Sequence, residues 1–178
     1  MLRQTWITEK AVEMKNITFT APWSASLALM TGFCVIFCLA ISIMGIISIP
    51  SSLVFAQMVT ISVPLLILFG GALFAVRGYT LQEHTLLIKR LLWSSRLNLS
   101  TLISATHDPE ALDGSMRAFG NGGLFSFSGL YRSSKLGFFR VYGTDPKRAV
   151  ILRFPNKTVV ITPDLPEQFI AEVTATAS

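Results

Sequence analysis

Charge is what this chain has least of. Only 14% of its 178 residues are Asp, Glu, Lys or Arg, where an ordinary soluble domain carries about 25%. The shortage is local. From Ser24 to Ile49, and again from Leu53 to Val76, no charged residue occurs. Each run exceeds the roughly 20 apolar residues needed to cross a hydrocarbon core about 30 Å thick. Two buried core helices would pass the same test, but so short a chain leaves too little other material to cover both. A cleaved secretory leader is a poor match as well. Its apolar region spans about 7–15 residues near the N-terminus, whereas here a longer run begins only after residues 1–23. Two membrane helices are the expectation, at 24–49 and 53–76 of a hairpin spanning 24–76.

Residues that carry chemistry are as scarce. The chain has two cysteines and two histidines. Cys34 and Cys38 share a face of the first helix with no His or carboxylate near them in sequence. They read as small hydrophobes, and no disulfide framework or zinc site can be assembled from them. His84 and His107 are isolated and read as turn or loop residues rather than bases. No Ser-His-Asp order, paired carboxylates or metal spacing is visible. No catalytic residue, metal ligand or cofactor is assigned, and the chain is read as not an enzyme. Neither apolar run contains Asp, Glu, Lys, Arg or His, the residues that mark ion paths and proton relays at membrane depth. That argues against a pump or transporter and leaves open a small pore made by oligomerised hairpins.

What charge there is has a direction. Pro50, Ser51 and Ser52 separate the runs, a break so short that the helices must be antiparallel neighbours. This tip carries no Lys or Arg, while Lys10 and Lys15 precede the first run and Arg77, Lys89 and Arg90 follow the second. Basic flanks stay on the cytoplasmic side. Both termini are therefore expected in the cytoplasm, with the protein multi-pass in the cell (inner) membrane. Gly70, Gly71, Ala72 and Ala75 give the second helix a small-residue face on which the first is expected to pack.

Past Arg77 the texture changes to short alternating segments. In RLNLSTLI, Leu97 and Leu99 point one way while Arg96, Asn98 and Ser100 point the other, a period of two. FFRVYGT (138–144), AVILRF (149–154) and KTVVIT (157–162) come next, separated by Asp145-Pro146-Lys147-Arg148 and Pro155-Asn156, which is turn chemistry. Closely spaced strands with tight turns predict an antiparallel meander forming a small barrel or sandwich. The period then switches. Asp164 can cap a helix with Glu167 three residues on, as in a capping box, and Pro166 is tolerated in a first turn. Leu165, Phe169 and Val173 recur on one helical face, so one amphipathic helix should close the sheet. The expected whole is a transmembrane α-hairpin plus an α+β domain at 77–178.

Two stretches remain. KNITFTAPWS (15–24) alternates Ile17 and Phe19 with Thr18 and Thr20. It fits an added strand on the later domain as well as an interfacial lead-in anchored by Trp23. GNGGLFSFSGLYRSSKLGFF begins at Gly120 with the look of a phosphate loop. It matches neither G-x-x-x-x-G-K-[ST] nor G-x-G-x-x-G before a helix, so the glycines are read as permitting a bend or bulge.

Together with YTLQEHTLLIKRLLWSSRLNLSTL directly after the second run and the ending VILRFPNKTVVITPDLPEQF, this glycine stretch resembles the bacterial PH-like domain membrane proteins. In that family two spans precede a pleckstrin-homology-like domain. The resemblance covers the chain from Gly78 onward and implies an antiparallel PH-like split β-barrel with a C-terminal helix. It brings no defined biochemical activity. In lipid-binding PH domains a basic cluster surrounds the first hairpin; here that turn is Gln82-Glu83-His84, without Lys or Arg, so no phosphoinositide site is implied there.

Two functions emerge as expectations. The first is a protein-interaction adaptor held at the inner leaflet. The alternative is an acidic-lipid-binding or lipid-sensing module, with Phe125, Phe127, Tyr131, Arg132, Lys135 and Arg140 as the candidate surface for lipid or partner. The plainer reading of those residues is a core-capping loop whose cations are merely solvated. A net charge of +5 partly reflects topology, and with no recognition helix or stacking motif, nucleic acid is not expected as a partner. A homo-oligomer remains compatible with the hairpin.

Overall fold

The computed structural model describes residues 16–177; Lys10 and Lys15, on which part of the charge argument rests, and Ser178 lie outside the described residues. Strand β1 (Ile17–Thr20) leads into helix α1 (Ala25–Ser48), and helix α2 (Val54–Leu73) returns. Ser24 caps α1 by accepting the Leu27 N–H at 3.2 Å. At 1.5 Å per residue the helices are about 36 and 30 Å long, and both are long and apolar enough to cross a membrane. Their outer faces leave Leu29, Phe33 and Phe55 exposed by 76%, 69% and 82%. Apolar area on that scale needs hydrocarbon or another protein around it.

The helices touch where α1 carries a glycine. A Cβ on Gly45 would lie 2.7 Å from the Thr60 methyl of α2, so only glycine allows that approach. Ser42 adds a hydroxyl that donates to the carbonyls of Cys38 and Ile61. The small-residue face of α2 is used differently from expectation. Gly71 faces Leu124 and Phe125 of the domain, not α1, and Gly70 has open space beside it.

Strands β2 (Gly78–Gln82), β3 (Thr85–Lys89) and β4 (Ser94–Asn98) form an antiparallel sheet in the order β1-β2-β3-β4. Thus β1, which precedes the hairpin, pairs with β2, which comes after it, from Ile17↔Leu81 to Thr20↔Gly78. Alternation places Phe19, Tyr79, Leu81, Leu86, Ile88 and Leu97 inside, and Leu99 joins them as its period of two predicts. Val76, the last residue of the uncharged run, belongs to this core.

The second sheet holds β5 (Ser104–His107), β6 (Met116–Gly122), β7 (Phe127–Ser133), β8 (Gly137–Gly143), β9 (Val150–Phe154) and β10 (Lys157–Ile161), in the order β5-β9-β10-β8-β7-β6. One pairing departs from a simple meander: β10 lies between β9 and β8 and runs parallel to β8. The Pro155-Asn156 turn does make a hairpin. The Asp145–Arg148 stretch does not; it forms a short 3₁₀ turn capped by Asp145, which carries the chain past the position β10 later fills. The result is a split barrel of two sheets, antiparallel apart from that one pair.

Helix α3 (Pro166–Ala177) packs its Phe169 and Val173 into the core between the sheets. The Phe169 ring meets Phe19 edge-on at 5.1 Å. Its cap differs from the expected box. The Asp164 N–H donates to the Thr20 carbonyl, Glu167 instead meets His107 of β5 at 2.9 Å, and Leu165 stays exposed. The incoming β1 strand takes the donor that a capping box would have used.

Candidate functional site

The glycine stretch closes the gap between domain and hairpin. Residues 123–126 join β6 to β7, and Asn121 folds over them: its Oδ1 accepts the Leu124 N–H at 3.0 Å and its amide donates to the Leu124 carbonyl. Thr31, buried on α1, then pins the loop. Its hydroxyl donates to the Gly123 carbonyl at 3.2 Å and accepts the Phe125 N–H at 3.0 Å. Ser126 donates to the Phe74 carbonyl at the end of α2 at 3.3 Å. Leu124 rests where α2 has Gly71, whose missing Cβ makes the space. Phe125 takes a φ of +64°, uncommon for a bulky residue, and sets its ring edge-on to Trp23 at 6.1 Å. These contacts satisfy loop backbone polar groups against the hairpin, and the loop is a clamp rather than a phosphate cradle.

Beside the clamp, the six-stranded sheet turns one face toward the four-stranded sheet, with which it shares a core. Residues paired across a ladder share a face, and alternate residues lie on opposite faces. Phe119, Leu130 and Arg140 therefore share one face of β6-β7-β8, as do Asn121, Ser128 and Tyr142. Through β10 this is the same face that buries Val159 and Ile161. The four-stranded sheet covers it over β9 and β10 but not as far as β6, leaving a groove of about 670 Å³. Small-molecule sites run to roughly 300–1,000 Å³. Phe74, Phe119, Leu130 and Tyr142 line it together with Arg90, Arg117 and Arg140, and no carboxylate is among the described residues that do so.

Arg90 is held with care. It sits in the β3–β4 turn, closed by its N–H donating to the Trp93 carbonyl. Its guanidinium lies 5.3–5.8 Å from the rings of Tyr142, Phe74 and Trp93, within cation–π range. Nε is buried without a hydrogen-bond partner among the described residues. Burial lowers the guanidinium's proton affinity below the ordinary arginine value while Tyr142 acts in the opposite sense, but a guanidinium stays charged in a protein. Phe74 meets Trp93 edge-on at 5.1 Å, and beside them Leu91 and Leu92 are exposed. Trp23, Phe74 and Trp93 thus ring one end of the hairpin, as aromatic residues do at a membrane–water boundary.

The candidate residues from the sequence separate by strand parity. Arg132 and Arg140 lie on the groove's side of the sheet, Arg132 stacked over Phe138 at 5.3 Å. Phe127 and Tyr131 turn to the opposite face and pack in the second core cluster with Phe139 and Val141. Lys135, in the β7–β8 turn, is paired with Asp108 at 2.6 Å. That contact holds the Asp108 carboxyl below its usual range and raises the Lys135 ammonium. Phe125 belongs to the clamp. Sequence reasoning missed Arg90, Phe74, Phe119 and Tyr142; the one signal present was Lys89-Arg90 beside Trp93. No cluster of three or more His, Cys, Asp or Glu that could hold a metal occurs among the described residues.

Comparison with curated proteins gives no match, and comparison with solved structures gives none either. A family model does match: the one described as bacterial PH domain covers residues 77–177. PH-like domains are in general binding modules rather than catalysts, and the split barrel with its closing helix accords with that architecture. The chain belongs to the bacterial PH domain family, its domain preceded by two helices long and apolar enough to span a membrane.

Proposed function

We propose that this is a non-enzymatic, multi-pass protein of the inner membrane, with both termini in the cytoplasm and its domain acting as an adaptor at the inner leaflet. The clamp carries the reading. Thr31, Gly71 and Phe74 hold the loop at 123–126 against the hairpin, so the domain is docked on the membrane anchor rather than swinging from it. Arg77, Lys89 and Arg90 then stand at the domain end and the uncharged Pro50–Ser52 tip at the other, which supports the cytoplasmic assignment.

For a protein partner, the exposed edge of β6 is the available surface. No described strand pairs with its outer side, and Met116 is 77% exposed. An open edge is a template for adding a partner's strand. Ala118 falls in the irregularity between Arg117 and Phe119 and has no register partner on β7. Edge strands and bulges are where a sheet tolerates proline, so Ala118→Pro is the substitution that spoils the edge at least cost to the fold. Affinity capture from gently solubilised membranes should recover a protein with the native chain and lose it with this variant, with melting curves confirming that the variant folds. An identical set of captured proteins from native chain, variant and a chain lacking residues 77–178 would sink the adaptor.

A further inference from the structure

The groove at the mouth of the split has a chemistry of its own, and its use rests on the placement of the domain at the inner leaflet. We propose that it takes the anionic headgroup of a phospholipid from the bilayer that the hairpin spans, with Arg90 and Arg140 on the phosphate and Phe119 and Leu130 against the first acyl carbons. Position comes first. Phe74 both ends α2 and lines the groove, so the groove opens where the membrane helix leaves the hydrocarbon, and a lipid could enter sideways without leaving the leaflet. Charge comes second. The groove has arginines and no described carboxylate on its walls, in contrast to Lys135, whose charge is already met by Asp108.

Preorganisation is the third argument. The rings of Phe74, Trp93 and Tyr142 hold Arg90 before any ligand arrives, so little side-chain freedom is left to lose on binding. Its Nε lacks an acceptor among the described residues, and a buried donor gains when an anionic oxygen supplies one. Phe119, 81% exposed, provides apolar surface beside those cations. This surface is separate from the Gln82–Thr85 turn between β2 and β3.

Trp93 reports on the site directly. In full-length protein in uncharged detergent, with Trp6→Phe and Trp23→Phe leaving it as the remaining tryptophan, its fluorescence is titrated with dioctanoyl phosphatidylglycerol, dioctanoyl phosphatidylcholine and inorganic phosphate. A saturable change with phosphatidylglycerol is expected, about tenfold or more weaker with either other probe. Arg140→Gln and Arg90→Gln should each weaken phosphatidylglycerol binding by about tenfold, the scale of one charge-assisted hydrogen bond, while Arg132→Gln leaves it unchanged. Should Arg90→Gln melt early, the exposed Arg140 still provides the test. No saturable response, equal binding of phosphatidylcholine or of free phosphate, or native binding by Arg140→Gln would each overturn the proposal. So would loss of a captured protein in Arg140→Gln with lipid binding intact, which would assign the groove to a protein. Placement is read separately, by labelling Ser51→Cys from outside the cell membrane. Lipid selectivity without that labelling removes the orientation and keeps the groove, and labelling without selectivity does the reverse.

Discussion

Tyr79 ties the two sheets together with one oxygen. Its hydroxyl donates to the Tyr142 carbonyl at 2.6 Å and accepts the Thr162 N–H at 3.1 Å, and the side chain is fully buried. Burial pushes its pKa up to about 12, with the contacts to Thr162 pulling the other way. The native state therefore holds this proton through a range in which the unfolded chain, with an ordinary phenol near pH 10, has released it. Stability tied to Tyr79 is complete below about pH 10 and is lost as pH rises toward 12, a loss of roughly 2–3 kcal/mol for a two-unit shift. Tyr79→Phe should lower stability at pH 8 by about 1–3 kcal/mol, because the Tyr142 carbonyl and Thr162 N–H lose their partner, yet fall less between pH 10 and 12. Melting curves of both proteins across that window make the check, and parallel declines would contradict it. Tyr131, buried in the second core cluster, is pushed up by burial in the same sense, with Arg117 opposing, so the variant's decline is reduced rather than abolished.

At the scale of elements, β1 separates this domain from a simple C-terminal unit. Its Phe19 is 3% exposed and packs on Phe169 of α3, although the whole hairpin lies between them in sequence. Phe19→Ala should destabilise the domain by about 3–5 kcal/mol, the usual result of emptying a buried phenylalanine site. Thr18→Ala, on the other side of the same strand, removes only the side-chain hydrogen bond to Thr80 at 3.3 Å and should cost about 1 kcal/mol. Chemical denaturation of the full chain would compare them, and equal small effects would mean that β1 adds nothing to the core. A fragment beginning at Arg77 lacks β1 altogether and should unfold more readily than the full chain. Two strand-level features show why local pattern reaches only part of this. The period of two at Leu97 and Leu99 was readable because burial alternates within one strand. The parallel neighbours β8 and β10 were not, because turn residues such as Asp145 and Pro146 report that the chain reverses, not which strand will fill the gap beside it.

For the whole molecule the orientation is the testable quantity. After Cys34 and Cys38 are replaced, Ser51→Cys should react with an impermeant thiol reagent on intact spheroplasts, and Ser178→Cys only after lysis. The warrant is the uncharged tip set against Arg77, Lys89 and Arg90 at the other end, together with a domain-sized segment that the opposite orientation would have to carry across. The opposite labelling pattern would overturn it and would move the Arg90–Arg140 groove to the other face of the membrane.

The sequence alone determined the two apolar runs, the amphipathic α3, the alternation of the strands and the family resemblance, because each is written in residues a few positions apart. Helical and strand periods and the length of a span are local quantities. Tertiary structure decided the rest. Whether Gly71 met α1 or Leu124, and whether β1 lay on the domain or on the membrane, depended on partners tens of residues away. The cage around Arg90 is the extreme case: Phe74, Trp93 and Tyr142 come from the end of α2, the β3–β4 turn and β8. Only the docking of two sheets against the hairpin brings their rings together, and no single stretch of chain holds enough of the cage to reveal it.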